Sequence, residues 1–262
     1  MDLHDYMDVA QNYDNYLSVL SLNGDDDFLA FYAGLAEEYG EGGVVDIACG
    51  TGAVLLHLAQ LGFDVDGTDI SEEMVRVARK KAAEQGLSPR IFVSDMTDFT
   101  SGRKYALAII ARSGFMHLPT PELQRKALLN IRENLLPDGI LTLNTFAPSI
   151  EIQYRQIHTT PEDYSFRLEY VNSDGKREKI YNAITYDPAT QIMAGNWKFE
   201  TLDAAGEVIA TRVRPLKMRQ TYRQEMEYLI ELTGFKIVAV YGGYDKTPAA
   251  NGAFQWVLQR GV

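Results

Sequence analysis

Three aspartates and a pair of glycines are the residues of this chain best suited to holding a ligand. The stretch Val44-Val45-Asp46-Ile47-Ala48-Cys49-Gly50-Thr51-Gly52 passes from apolar residues through an acid into glycines, and then into a helical segment, Ala53 to Gln60. It predicts a buried strand turning sharply into a helix, with Gly50 and Gly52 letting the backbone bend and a ligand approach the peptide groups. A dinucleotide-binding turn reads G-x-G-x-x-G, whereas Leu55 stands at the third glycine position here. Asp46, four residues before Gly50, suits a cationic ligand group better than a pyrophosphate, which it would repel. Asp69 and Asp95 close the next two predicted strands, so three acids share the edge at which open α/β sheets bind ligands. Each acid alone would also serve as a helix cap or turn residue. Cys49 reads as a small buried filler of the turn rather than a nucleophile.

The elements that must position these residues follow from periodicity. From Val44 to about Thr145 short apolar runs alternate with amphipathic helices, the pattern of a parallel sheet covered on both faces. Strands are expected at 44–48, 64–68, 90–93, 106–111 and 140–145. Ser71 opens a helix with the stripe Met74, Val77, Ala78 and Ala82. Thr120-Pro121 opens another, with Leu123, Ala127, Leu128, Ile131 and Leu135 inward, and Pro137-Asp138-Gly139 is read as the turn after it. Ahead of the first strand, Phe28, Phe31, Tyr32, Leu35, Ala36 and Tyr39 recur at helical spacing as core. After Thr145 the texture becomes β-rich near 166–171, 176–187, 191–202 and 207–218, separated by turn sequences, which predicts an antiparallel meander. Thr221 with Gln224 forms a capping-box pattern, and strands at 236–240 and 254–259 return to the core. The fold class is therefore α/β, a doubly wound and mainly parallel seven-stranded sheet with an inserted antiparallel meander. Its expected organisation is an N-terminal helical cap (1–43), a core (44–147 and 220–262) and an insertion (148–219).

Composition narrows the partners. With 262 residues, 46% of them hydrophobic, the chain can bury a full core. A formal charge of −11 argues against nucleic acid, whose backbone is bound through clustered Lys and Arg. A single cysteine excludes an internal disulfide framework and a multi-cysteine zinc site, so no metal is expected and a reducing cytoplasm fits. No basic-then-apolar leader and no apolar run near the ~18 residues needed to span a bilayer is present, so no membrane partner is expected. A small molecule is the expected partner, and the chain is expected to be a monomer or homodimer.

The arrangement Asp46-x-Ala48-x-Gly50-x-Gly52, with Gly67-Thr68-Asp69-Ile70-Ser71 and Ser94-Asp95-Met96, resembles the class I S-adenosylmethionine-dependent methyltransferases over about residues 40–147 and again from about 221 to the end. The resemblance implies that S-adenosylmethionine is the cofactor and S-adenosylhomocysteine the product. By the same resemblance Asp46, Ala48, Gly50 and Gly52 lie against the methionyl part. Asp69, beside Ile70, takes the ribose hydroxyls, for which paired carboxylate oxygens suit two vicinal donors. Asp95 binds the adenine amino group and Met96 meets the ring face. The implied activity is methyl transfer by in-line displacement to nitrogen or oxygen of a small molecule. An amino sugar or a protein side chain is the alternative acceptor, and a non-catalytic cofactor-binding module or an NAD-dependent oxidoreductase is the alternative of another class.

The resemblance also directs the loop after the fourth strand, Ala111-Arg112-Ser113-Gly114-Phe115-Met116-His117-Leu118-Pro119, toward the transferred methyl group. His117 reads either as a general base or as a packed, hydrogen-bonded histidine, and Arg112 as a contact to cofactor or acidic substrate or as the partner of a neighbouring acid. This loop lacks the Asp/Asn-Pro-Pro-aromatic motif of enzymes that methylate base amino groups or glutamine amides. Tyr13 and Tyr16 are candidate lid residues, Tyr13 for the cofactor and Tyr16 for the substrate. By resemblance the insertion covers the carboxyl edge of the sheet; Trp197, read either as sheet packing or as a stacking wall for a ring, and Arg214, Tyr241 and Tyr244 are the further substrate candidates. Arg212, Arg214, Lys217, Arg219 and Arg223 form a basic run, read either as a cradle for an anionic substrate or as a solvated strand face.

Overall fold

The computed structural model describes residues 10, 12–15, 25–146, 149–249 and 252–261. Tyr16, one of the two candidate lid tyrosines, lies outside these residues. Two compact units are present, one comprising 26–147 with 221–262 and the other 1–25 with 148–220.

The larger unit is built on a seven-stranded sheet. In chain order its elements are α1 (Asp25–Tyr39), β1 (Val44–Ile47), α2 (Ala53–Gln60), β2 (Val65–Asp69), α3 (Glu72–Glu84), β3 (Ile91–Val93), β4 (Tyr105–Ile110), α4 (Pro121–Asn134) and β5 (Leu135–Phe146). Two further strands from after the insertion, β10 (Phe235–Tyr241) and β11 (Ala253–Arg260), complete the sheet, whose order is β10-β11-β5-β4-β1-β2-β3. Every described pairing is parallel except those of β11 with β5 and β10. Alternate residues of the strands feed two cores. Val44, Val65, Leu107, Ile109, Ile140 and Val257 pack under α1, α2 and α3, whereas Val45, Ile47, Ala108, Ile110, Leu141 and Trp256 face the other core. Covering both faces leaves little need for polar residues in these strands, which is why they read as near-continuous apolar runs. The α1 residues Phe28, Phe31, Tyr32, Leu35 and Ala36 are buried as their spacing predicts.

Three local readings need correction. Pro137-Asp138-Gly139 is not a free turn but lies within β5, where the pairing slips between Tyr105↔Leu135 and Leu107↔Ile140, and Asp138 takes a φ of 59°. A bulge lets the chain leave α4 and enter the sheet without an intervening loop. The capping box does not form: Tyr222 caps the next helix, and Thr221 Oγ1 is instead bonded to the buried Gln124. On α3 the buried stripe uses Val75, whereas Val77 is half-buried.

The smaller unit is the meander, β6 (Ser165–Val171), β7 (Arg177–Asp187), β8 (Ile192–Leu202) and β9 (Val208–Arg219), antiparallel in sequence order. A helix that periodicity missed, α5 (Ile150–Ile157), precedes it, capped by Ser149 Oγ accepting from the Ile152 amide. Asn12 also belongs to this unit, its Oδ1 accepting from the Ser173 amide at 2.9 Å. After β9 the chain returns to the larger unit through α6 (Arg223–Leu232), β10 (Phe235–Tyr241) and β11 (Ala253–Arg260).

Candidate active site

The chain winds from β1 to β2 and β3 on one side and, after β3, to β4 and β5 on the other, so a topological switch point lies between β1 and β4. Open α/β sheets form their ligand crevice at the carboxyl end of such a pair. On β1 the exit is made by Ala48 (φ 56°), Gly50 (φ 56°) and Gly52 (φ 90°), three left-handed residues within five. A Cβ on Gly50 would enter open space, so its side chain is absent for backbone conformation and for access rather than for packing. A Cβ on Gly67 would stand 2.5 Å from Leu55 Cδ2 and 3.2 Å from Cys49 Sγ, so glycine on β2 is what lets α2 and the turn settle onto the sheet.

Asp46 is 1% exposed. Its Oδ2 accepts from the Leu55 amide at 3.0 Å, tying β1 to the first turn of α2, and its Oδ1 has no hydrogen-bond partner among the described residues. Burial pushes the carboxyl up to about 8; the Leu55 amide opposes this and nearby Asp69 adds to it. A buried acid with one bond is far from satisfied when ionised, so it waits for a proton or a cation. Asp69, also buried, accepts from the Gly50 amide at 2.8 Å and from the Ser71 amide at 2.9 Å, one on each oxygen. Burial raises its carboxyl too, against those amides. Each oxygen retains a second lone pair, and the orientation is fixed. Asp95 Oδ1 accepts from the Thr97 amide at 2.8 Å, and the Ser94 amide donates to Asp69 O, which joins the ends of β2 and β3. Each of the three acids thus also performs the cap or turn role open to it. Ile70, beside Asp69, is exposed, and Met96 is half-buried against the second core.

The loop after β4 approaches the first turn closely. A Cβ on Gly114 would lie 3.2 Å from Ala48 Cβ and 3.0 Å from Ile110 Cγ2, so any side chain here would crowd both neighbours. Arg112 and Ser113 precede it with φ of 48° and 61°. The Arg112 guanidinium lies 4.3 Å from the Phe28 ring centroid, a cation–π geometry. His117 closes a 3-10 turn, Gly114–His117; its Nδ1 is buried without a hydrogen-bond partner among the described residues, and burial lowers its pKa, which keeps the ring neutral. Tyr241 and Tyr244 are half-buried against α1, with Tyr244 at 5.2 Å from Phe28 and 5.7 Å from Phe31. Tyr32, read as plain core, also bears on the site. Its hydroxyl is fully buried without a partner among the described residues, and burial first, then Tyr244 and Asp46, raise its pKa.

The larger unit therefore brings together Asp46, Ala48, Gly50, Gly52, Asp69, Ile70, Asp95, Met96, Arg112, His117, Tyr241 and Tyr244. Tyr13, Trp197 and Arg214 belong to the smaller unit. There Trp197 packs on the cluster of Leu168, Tyr170, Ile180 and Phe199, opposite Arg214 across β8 and β9. Arg212 is no solvated face residue, because it pairs with the buried Glu178. Tyr32, Gly67, Gly114 and Asn144 escaped the sequence reading. A signal existed for two of them: Asn144 is a poor strand former within an apolar strand, and Gly67 a glycine in a strand interior. No three His, Cys, Asp or Glu side chains among the described residues are placed to hold a metal ion.

The carboxyl edge so built, with a buried acid missing a counter-ion and a glycine turn open to a ligand, fits a cationic nucleoside such as S-adenosylmethionine. Comparison with known proteins agrees. Residues 44–139 match the family described as "Methyltransferase domain". The YqeM protein of Bacillus subtilis (strain 168) is 25% identical over 214 residues, 80% of each chain. The dTDP-3-amino-3,4,6-trideoxy-alpha-D-glucopyranose N,N-dimethyltransferase of Streptomyces venezuelae is 33% identical over 100 residues, 38% of this chain and 40% of the relative, so this match spans less than half of that enzyme. An S-adenosylmethionine-dependent methyltransferase from Clostridium acetobutylicum ATCC 824 shares the fold with a TM-score of 0.76 at 16% identity, over 93% of this chain and 95% of that one. Residues 44–139 thus match a methyltransferase domain, and the chain shares the fold of the S-adenosylmethionine-dependent methyltransferases.

Proposed function

We propose that the protein methylates an amine of a small molecule, an amino sugar in the first instance, using S-adenosylmethionine held by Asp46, Asp69 and Asp95. The observation that carries the cofactor assignment is the partnerless Asp46 Oδ1 under the glycine turn. S-adenosylmethionine supplies a methyl group on a sulfonium, open to in-line attack. Asp46 accepts the methionyl ammonium. The free lone pairs of Asp69 take the ribose hydroxyls, Asp95 the adenine amino group, and Ile70 and Met96 flank the ring. Their task is to align and to exclude water, because displacement at the methyl carbon needs no covalent enzyme intermediate. An amine reaches this site from water as an ammonium and must lose a proton before it can attack. His117, neutral and with a partnerless Nδ1, is suited to take that proton.

Support for an amine acceptor comes from the Streptomyces relative, named as an N,N-dimethyltransferase of a dTDP-linked amino sugar. The test is transfer of labelled methyl from S-adenosylmethionine to that amino sugar and to a panel of other small amines and alcohols. Label in an amine product is expected, and label confined to hydroxyl acceptors contradicts the amine reading. Tyr241 and Tyr244 are proposed to border the acceptor, and Arg112 to anchor an anionic group such as a sugar-linked diphosphate.

A further inference from the structure

We propose that Asn144 is the positioning residue of the acceptor-side loop, clamping Arg112-Ser113 in the conformation that sets His117 and Arg112 against the first turn; this rests on the reading of residues 111–119 as the loop that faces the acceptor. Two consecutive residues with side chains take left-handed backbone here, at φ 48° and 61°. That conformation is unfavourable for each and persists only where the surroundings over-determine it. Besides the Arg112 contact with Phe28 and the turn's own backbone bonds, one side-chain amide group bonds this turn twice. The Ser113 backbone N–H donates to Asn144 Oδ1 at 2.7 Å, and Asn144 Nδ2 donates to Ser113 Oγ at 2.9 Å. Both residues are buried, so neither bond competes with water.

Asn144 is itself immobile, because β5 is flanked by β4 and β11 and Asn144 is in register with Gln255. An asparagine is a poor choice for an inner strand between Leu143 and Thr145 unless its side chain is used. The amide places an acceptor and a donor side by side for the Ser113 N–H and hydroxyl; alanine supplies neither, and leucine fills the space without bonding. Downstream of the clamp, Gly114 makes its close approach to Ala48 and the 3-10 turn carries His117. Without the clamp the acceptor-side loop is free to relax, whereas Asp46, Asp69 and Asp95 stand on other strands and keep their own amide partners. Alignment, not cofactor affinity, is the property at stake.

The experiment compares wild type, Asn144→Ala and Asn144→Asp in three measurements: S-adenosylhomocysteine affinity by calorimetry, kcat with dTDP-3-amino-3,4,6-trideoxy-glucose, and amide exchange of Ser113 by NMR. In Asn144→Asp the two carboxylate oxygens can accept from the Ser113 amide and, after rotation, from its hydroxyl. Asn144→Ala is expected to keep its S-adenosylhomocysteine affinity within about twofold of wild type while kcat falls about tenfold to a hundredfold. Its Ser113 amide is expected to exchange at least about tenfold faster, and Asn144→Asp to recover most of both losses. A kcat equal to wild type, a cofactor affinity that falls in step with kcat, or an unchanged Ser113 amide would overturn the assignment. If the wild type itself transfers no methyl group to the amine, the proposed acceptor fails, and the exchange comparison alone decides whether the clamp exists.

Discussion

If Asp46 receives the methionyl ammonium, cofactor affinity must pass through a maximum near pH 8. In the ligand-free protein the carboxyl titrates near 8, raised by burial, and only its ionised form pairs with a cation. The ligand's amine titrates at about 7.7–8, and only its protonated form is a cation. Affinity follows the product of the two fractions, roughly one half times one half at pH 8 and about one hundredth times one at pH 6, a ratio of roughly 25-fold. Below pH 8 the limiting event is removal of the Asp46 proton; above it, loss of the ammonium. At pH 7 about 0.9 proton leaves Asp46 and about 0.1 joins the amine, so binding releases close to ~0.8 proton. Isothermal titration of S-adenosylmethionine from pH 6 to 10, repeated at pH 7 in phosphate and in Tris, reads both quantities. Asp46→Asn removes the acidic limb, leaving affinity flat below pH 7 and weaker at pH 8 by about 1–3 kcal/mol. An affinity unchanged between pH 6 and 8, with the same enthalpy in both buffers, would refute the pairing.

Two further outcomes follow from packing and from the buried network of the smaller unit. Gly67→Ala places a methyl group 2.5 Å from Leu55 Cδ2, in a core where Leu55 is fully buried, and is expected to cost about 1–3 kcal/mol in urea unfolding. It should also weaken cofactor binding, because the Leu55 amide holds Asp46; unaltered stability would mean that α2 does not depend on this contact. Glu178→Ala removes an acceptor shared by Tyr170, Thr201 and Arg212 and is expected to destabilise the protein by about 3–5 kcal/mol, read by the same unfolding measurement. A loss under about 1 kcal/mol would show that water replaces the carboxylate readily.

Much of this site was legible in the sequence because its parts are local. An apolar run, an acid and two glycines predict a strand, a turn and a helix within a dozen residues, and the acids closing β2 and β3 repeat that logic. The meander was legible for the same reason, its turns being spelled by Asn, Asp, Pro and Gly. What escaped depends on contacts between distant residues. Nothing near Gly114 announces that Ala48 will lie against it, and nothing near Ser113 announces Asn144, 31 residues away. Tyr32 kept its helical spacing and so looked like any core aromatic, although its hydroxyl is buried beside the charges of the site. Asp46 was readable as an acid but not as one that burial holds protonated, since desolvation belongs to the folded chain. The missed helix α5 is only eight residues long, and although Ile150, Tyr154 and Ile157 stand at helical spacing none of them is buried, so a run this short did not stand out from the linker.

The most direct test of the account is the titration of wild type and Asp69→Ala with S-adenosylhomocysteine, with NAD as the comparison ligand. The wild type is expected to bind S-adenosylhomocysteine and not NAD, and Asp69→Ala to weaken that binding by about 1–3 kcal/mol because the ribose hydroxyls lose their charged acceptor. Failure of the wild type to bind S-adenosylhomocysteine, or an affinity untouched in Asp69→Ala, would contradict the placement of the cofactor at the carboxyl ends of β1, β2 and β3.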